Sequence, residues 1–199
     1  FIYKGSNKII NCLVINEGPS SLLGSANDQD ISIYFVNSTI ISTSDIYDGG
    51  ALNSGGTKEV YLINSIFDVD FDTSFNNAGH TVSVNNCIFT DSSLPESTWE
   101  ASNIITGAAT ADIFNDYDNG DYTIRATNNI INGGSDELWN ANSENVATDI
   151  SGNTRIFDTA IDMGCYELQS YVTVSINRFQ LYDQDTNIYD HTDDQVVGA

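Results

Sequence analysis

Glu59-Val60-Tyr61-Leu62-Ile63-Asn64-Ser65-Ile66-Phe67 is a run of β-branched and aromatic residues that meets an Asn and continues as a second apolar pair. The run has the composition of a strand, and Asn is the residue that best tolerates a left-handed corner and bonds to its own turn. The same arrangement occurs around Asn11-Cys12-Leu13-Val14, Asn37-Ser38-Thr39-Ile40 and Asn86-Cys87-Ile88-Phe89, at intervals of 26, 27 and 22 residues. Such a period is too long for a helix turn or a single strand, and it suits one rung of a stacked solenoid. Four unrelated hairpins with Asn turns would be the alternative, but they would have to align strand, Asn and apolar pair by chance.

Each phrase follows its own strand signal: Lys8-Ile9-Ile10, Ile31 to Val36, Glu59 to Ile63, and Thr81 to Val84. Between rungs lie polar stretches such as Glu17 to Ser21, Asp45 to Gly50 and Asp91 to Pro95, which read as loops leaving the stack. Weaker echoes follow at Asn103-Ile104-Ile105 and Asn129-Ile130-Ile131. No segment shows a convincing helical period; Leu138 to Ala147 comes nearest but is mostly Asn, Ser and Ala. The body is therefore expected to be an all-β parallel solenoid. Asn11, Asn37, Asn64 and Asn86 should stack at its corner, their side chains bonding along the axis as a ladder.

The chain has 199 residues, enough for one domain with a substantial core. Its 28 Asp and Glu against 6 Lys and Arg argue against nucleic acid or an anionic lipid surface as partner, and favour cations or neutral ligands. No apolar run approaches the ~20 residues that a membrane-spanning helix needs. Of the three Cys, Cys12 and Cys87 sit three rungs apart, about 14 Å at the spacing of neighbouring strands, too far for a disulfide. Both are expected to be core thiols.

Toward the C-terminus the pattern changes. Asp121-Tyr122-Thr123-Ile124-Arg125 follows a Gly turn, Asp149-Ile150-Ser151-Gly152-Asn153-Thr154-Arg155 gives a polar turn, and Ile161-Asp162-Met163-Gly164-Cys165-Tyr166-Glu167 forms an ending. Taken in order, these residues resemble the C-terminal end of the choice-of-anchor Q family, bacterial surface or secreted proteins with a pectate-lyase-like right-handed β-helix. Cys165 stands where that family usually has Ala, and Thr127 to Gly133 replaces a Pro-containing turn. The resemblance implies a right-handed parallel β-helix over residues 1–168, closing at about 116–167, and an extracellular, secreted or cell-surface location. A C-terminal strand is expected at 169–182 and an acidic tail or linker at 183–199. Because a solenoid needs its ends covered, further N-terminal rungs or a capping partner are expected ahead of Phe1.

Three carboxylates, Asp68, Asp70 and Asp72, would share one face of an extended segment, and calcium is the cation that such an oxygen set favours. Asp116 to Asp121 has the look of a calcium loop, but Thr127 stands where an EF-hand needs its bidentate Glu, so a structural turn is expected. Tyr34, Tyr47, Tyr61, Trp99, Tyr117, Trp139 and Tyr182 could offer flat faces to sugar rings or to a protein, with Trp99 and Trp139 foremost.

Catalytic signatures are sparse. Elimination on an acidic sugar needs a base and a cation beside the sugar carboxylate, whereas Arg125 and Arg155 fall in the closing motif and the other basic residues are scattered. Hydrolysis needs convergent carboxylates, and the motif set of β-helical polygalacturonases is absent. His80 and His191 are isolated. The chain is thus expected to have a noncatalytic binding, adhesive or structural role toward a polysaccharide or surface protein. The alternatives are a lyase or hydrolase with catalytic residues partly outside the chain, and a rigid stalk or secreted cargo domain.

Overall fold

The computed structural model describes residues 5–19, 30–44, 57–71, 81–92, 100–126 and 129–169, and two further strands at 178–182 and 188–192. Phe1–Gln169 forms one compact unit and Ser170–Ala199 a second.

In the first unit, each Asn joins two strands or lies within one. The strands are β1 (Gly5–Ile10), β2 (Leu13–Asn16), β3 (Ile31–Val36), β4 (Thr39–Ser42), β5 (Lys58–Ile63), β6 (Ile66–Asp68), β7 (Thr81–Phe89) and β8 (Glu100–Ile105). They form one parallel sheet in the order β1-β3-β5-β7-β6-β4-β2, with β8 beside β7. Strand β7 runs unbroken through its corner and so joins the two arms of the sheet. The result is a curled, solenoid-like all-β architecture.

Register follows the phrase. Val36 pairs with Ile10 and Ile63, Ile63 with Asn85, and Asn85 with Ser102, which lines up Asn11, Asn37, Asn64, Asn86 and Asn103. All five have positive φ, between 44° and 55°. The echo at Asn103 is thus a fifth rung, whereas Asn129 lies outside the sheet.

In the first four rungs the residue after the Asn stabilises the corner from inside. Cys12 Sγ, Ser38 Oγ, Ser65 Oγ and Cys87 Sγ each donate to the carbonyl two residues back, at 3.1, 3.0, 2.7 and 3.3 Å. Ser38 and Ser65 also accept from the backbone N–H of the preceding rung, at 3.2 and 3.1 Å. A small side chain with a donor fits this position in the first four rungs, as Cys12, Ser38, Ser65 and Cys87, and Ile104 takes it in the fifth. All three cysteines are free thiols, with Cys87 buried and Cys12 half-buried at the end of the stack.

Inward positions of both arms make the core. Phe35, Ile40, Leu62, Phe67, Val84 and Phe89 are fully buried. Phe67 stacks on Phe89 with centroids 5.3 Å apart and takes Phe35 and Phe71 on edge at 5.8 Å. Burial of each such ring is worth roughly 1.5–3 kcal/mol.

The outward residues flanking the corner are apolar too, and the chain beyond β8 covers them. That segment contains a short helix α1 (Thr110–Ile113), the antiparallel pair β9 (Phe114–Asp116) and β10 (Asp121–Ile124), and helix α2 (Asp136–Asn142). Ile41, Ile66 and Ile88 pack with Ile113, Phe114, Ile124, Ile130 and Met163 on one side of the corner. Val36 and Ile63 pack with Trp139 and Ile161 on the other.

Helix α2 corrects the expectation that no helix forms around Leu138. Ser135 caps it by accepting from the Leu138 N–H at 3.3 Å, and Asp136 and Glu137 occupy its first turn, where the helix dipole favours negative charge. Only one residue of α2, Trp139, is buried, so there was almost no apolar stripe to see.

In the second unit, β11 (Arg178–Tyr182) pairs antiparallel with β12 (Ile188–Thr192). The strand expected to end at 182 therefore has a partner within the stretch read as an acidic tail; residues 171–177 lie outside the described residues.

Candidate functional site

The corner row of Asn residues is not the continuous ladder that was expected. Among the described residues one Asn–Asn bond joins adjacent rungs, Asn64 Nδ2 to Asn37 Oδ1 at 3.0 Å. The amides turn instead to the C-terminal segment. Asn11 Nδ2 donates to the Thr148 carbonyl at 2.9 Å, Asn37 to Asp162 at 2.9 Å, Asn64 to Ser135 at 3.0 Å, and Asn86 to Gly133 at 2.8 Å. Positive φ aims each side chain away from the stack, and a backbone carbonyl meets it there. The row is a fastening strip for the closing segment.

That segment is anchored by a buried charged cluster made from the closing motif. Asp149 accepts from the N–H groups of Ser151 and Asn153 through Oδ1, and from Asn153 Nδ2 and the Glu167 N–H through Oδ2. Asp162 accepts from the Asn132 and Leu168 N–H groups, both at 2.7 Å. Glu167 accepts from those of Phe157 and Asp162, both at 3.1 Å. Arg155 is 1% exposed, donates to the carbonyls of Gly164 and Asp162, and holds its guanidinium 5.4 Å from the centroid of the Trp139 ring.

A carboxyl displaced in pKa beside an Arg is the pattern expected of an acid catalyst. Burial pushes Glu167 up to about 8, with the charge of Asp162 adding to the effect. Its geometry speaks for a structural part: the residue is 3% exposed and each carboxyl oxygen accepts a backbone N–H. The carboxylates of the cluster hold turns in place through backbone N–H groups, as buried polar groups that find partners do.

The acidic residues expected to hold calcium divide. Asp68 accepts from Thr90 Oγ1 at 2.6 Å and from the Tyr117 hydroxyl, while Asp70 is exposed and Asp72 lies outside the described residues. Among the described residues no group of three His, Cys, Asp or Glu could hold a metal ion. The stretch at Asp116 to Asp121 is a structural turn: Tyr117–Asn119 is a single 3-10 turn ended by Gly120 at φ 79°, with Asn119 Nδ2 donating to Asp116.

Trp139 is buried against Val36, Ile63 and Ile161, and the guanidinium of Arg155 lies over its ring. Its polar sequence neighbours face away from that contact, which is why the sequence suggested an exposed ring. Trp99 lies outside the described residues, as do Tyr47 and His80.

Two other aromatics from the sequence reading come together. On the outer face of the first arm the register runs Lys8, Tyr34, Tyr61, Ser83, Glu100. Tyr34 and Tyr61 stack with centroids 4.4 Å apart and planes 8° from parallel. Lys8 Nζ lies 5.5 Å from the Tyr34 centroid and bonds to Glu144 at 2.6 Å. Burial, then the charge of Glu59, raises the pKa of the Tyr61 phenol, and Glu59 itself accepts from Ser32 Oγ at 2.8 Å. Written out by rung, each residue of this row stands three before its Asn, so the stack was readable from the phrase spacing once the rungs were aligned.

Compared with protein-family models, curated proteins and solved structures, the chain matches none of them.

Proposed function

We propose that this chain is part of a right-handed parallel β-helix of the choice-of-anchor Q kind that works outside a bacterial cell as a noncatalytic scaffold for binding glycan. The closing motif supports the family reading: Asp149, Arg155, Asp162, Gly164 and Glu167, which carry the resemblance, are all used to fasten one segment. The parallel rungs support the fold. What carries the binding role is the stacked Tyr34–Tyr61 pair on the outer sheet face, an aromatic surface amid hydroxyl and carboxylate groups.

A further rung or a capping partner at the N-terminal end belongs to the same reading. Ile15 is 45% exposed, whereas Ile41, its register partner one rung inward, is 6% exposed. An apolar strand edge of this kind is a template for another strand.

Incubation with neutral and acidic polysaccharides, with and without calcium, tests the proposal. Retention of the protein without new chain ends supports a binder. Unsaturated ends or new reducing ends would overturn it in favour of a lyase or hydrolase.

A further inference from the structure

The outer face of the first arm is not uniform along the stack. Over the first three rungs the positions just before the Asn are Ile10, Val36 and Ile63, and these pack beneath Trp139, Leu138 and Ile161. At the fourth and fifth rungs the same positions are Asn85 and Ser102, and that apolar cover has ended. Two residues earlier in each rung, the aromatic row also ends, because Ser83 follows Tyr61. Tyr34 covers one face of the Tyr61 ring. Ser83, one strand spacing away on the other side, is too short to cover the opposite face, and no other ring of the described residues stacks there.

The result is a step in the surface. Its wall is the half-buried Tyr61 ring, on the side that no other ring of the described residues covers, and its floor is Ser83, Asn85 and Ser102, with Glu100 at the outer edge. The floor is a connected polar network: Asn85 Nδ2 donates to Ser83 Oγ at 3.2 Å, and Ser102 Oγ donates to Asn85 Oδ1 at 2.7 Å. That leaves the Ser83 hydroxyl proton, the second Asn85 amide proton and the Ser102 lone pairs to a ligand. Ser83 and Asn85 are half-buried and Ser102 is exposed, so these groups are fixed yet reachable.

A ligand that fits must present weakly positive C–H groups to the negative ring face and hydroxyls to the floor. A pyranose does both, with its C–H face on the ring and its hydroxyl edge down. Charge narrows the class: Glu59 and Glu100 flank the step in a chain of net charge -22, which repels a carboxylated sugar. We propose that the step formed by Tyr61, Ser83, Asn85 and Ser102 is a subsite for one ring of a neutral polysaccharide. The proposal rests on the glycan-binding reading and gives it a location and a ligand class.

Affinity electrophoresis of the whole chain in gels containing soluble mannan, β-glucan or galactan, with polygalacturonate as the acidic comparison, tests it. At least one neutral polymer should retard the protein and polygalacturonate should not. Tyr61→Ala should weaken that retardation tenfold or more. Ser83→Tyr should abolish it by extending the aromatic stack over the side of Tyr61 opposite Tyr34, with a melting temperature no lower than that of the parent chain. Retardation that both variants preserve would overturn this site while leaving the glycan-binding reading intact. No retardation by any neutral polymer would overturn the two together, and Tyr61-dependent retardation by polygalacturonate alone would overturn the ligand class.

Discussion

Asn64 and Ser135 exchange two hydrogen bonds: the Ser135 N–H donates to Asn64 Oδ1 at 2.9 Å, and Asn64 Nδ2 returns a bond to the Ser135 carbonyl at 3.0 Å. The side-chain amide thus stands in for a backbone peptide, pairing with residue 135 as a neighbouring strand would. The same amide reaches Asn37, so one residue joins two rungs and the closing segment. Asn64→Ala should cost about 3 kcal/mol, combining left-handed backbone strain with the lost bonds. Asn64→Gly should recover the backbone part alone. Asn103→Ala, where the amide is exposed and its bond is 3.4 Å long, should cost clearly less. Urea unfolding of the three variants checks the order.

Gly164 and Gly152 both have φ of 89°, and their surroundings differ. A Cβ on Gly164 would lie 2.6 Å from Ile66 Cδ1 and 2.8 Å from Thr39 Oγ1, whereas a Cβ on Gly152 would meet nothing within 4 Å. Gly152→Ala should therefore show backbone strain alone, about 1–2 kcal/mol. Gly164→Ala should add about 1–3 kcal/mol of overpacking against the corner. Equal melting temperatures for the two variants would contradict this account of the contact.

Glu167 holds its proton more tightly in the fold, at about 8, than its ordinary value of 4.5. Its contribution to stability is therefore full below about 4.5 and is lost as pH rises through about 8. Burial also raises the Asp162 carboxyl, which acts in the same direction. Urea midpoints at pH values of about 5, 6.5 and 8.5 should fall in that order. A midpoint that stays level or rises across the series would show that these carboxyls do not hold their protons more tightly in the fold.

The thiols should separate by burial. Burial pushes Cys87 up to about 12 and Cys165 up to about 11, so both stay protonated and covered near neutral pH. Mass spectrometry after brief alkylation of the native protein should find Cys12 labelled first, and the other two labelled only after denaturation.

Much of the scaffold was legible because solenoid geometry converts sequence interval into spatial register. The Asn at each corner, the small residue behind it and the inward Phe and Ile positions all recur with the rung. Helix α2 was obscured by its single buried residue, although Ser135-Asp136-Glu137 is a readable N-terminus. What met the Asn row was not readable at all, since its partners are backbone carbonyls and any residue type supplies one. For the same reason Trp139 looked available: the side chain that covers its ring belongs to Arg155, 16 positions further on and in a different turn.

The bond from Asn11 to the Thr148 carbonyl spans 137 residues, and that from Asn37 to Asp162 spans 125. Rungs can pair with their neighbours as they leave the ribosome, yet the outer side of the Asn11 and Asn37 corners stays uncovered until the closing segment has been made. Contacts at such separation slow folding, and exposed apolar corners during that wait invite association between chains. Truncation just before Gly133 should therefore cause more aggregation during synthesis than its loss of equilibrium stability alone accounts for. The closing segment acts as a timer on maturation, covering corners that were made 125 and 137 residues before it.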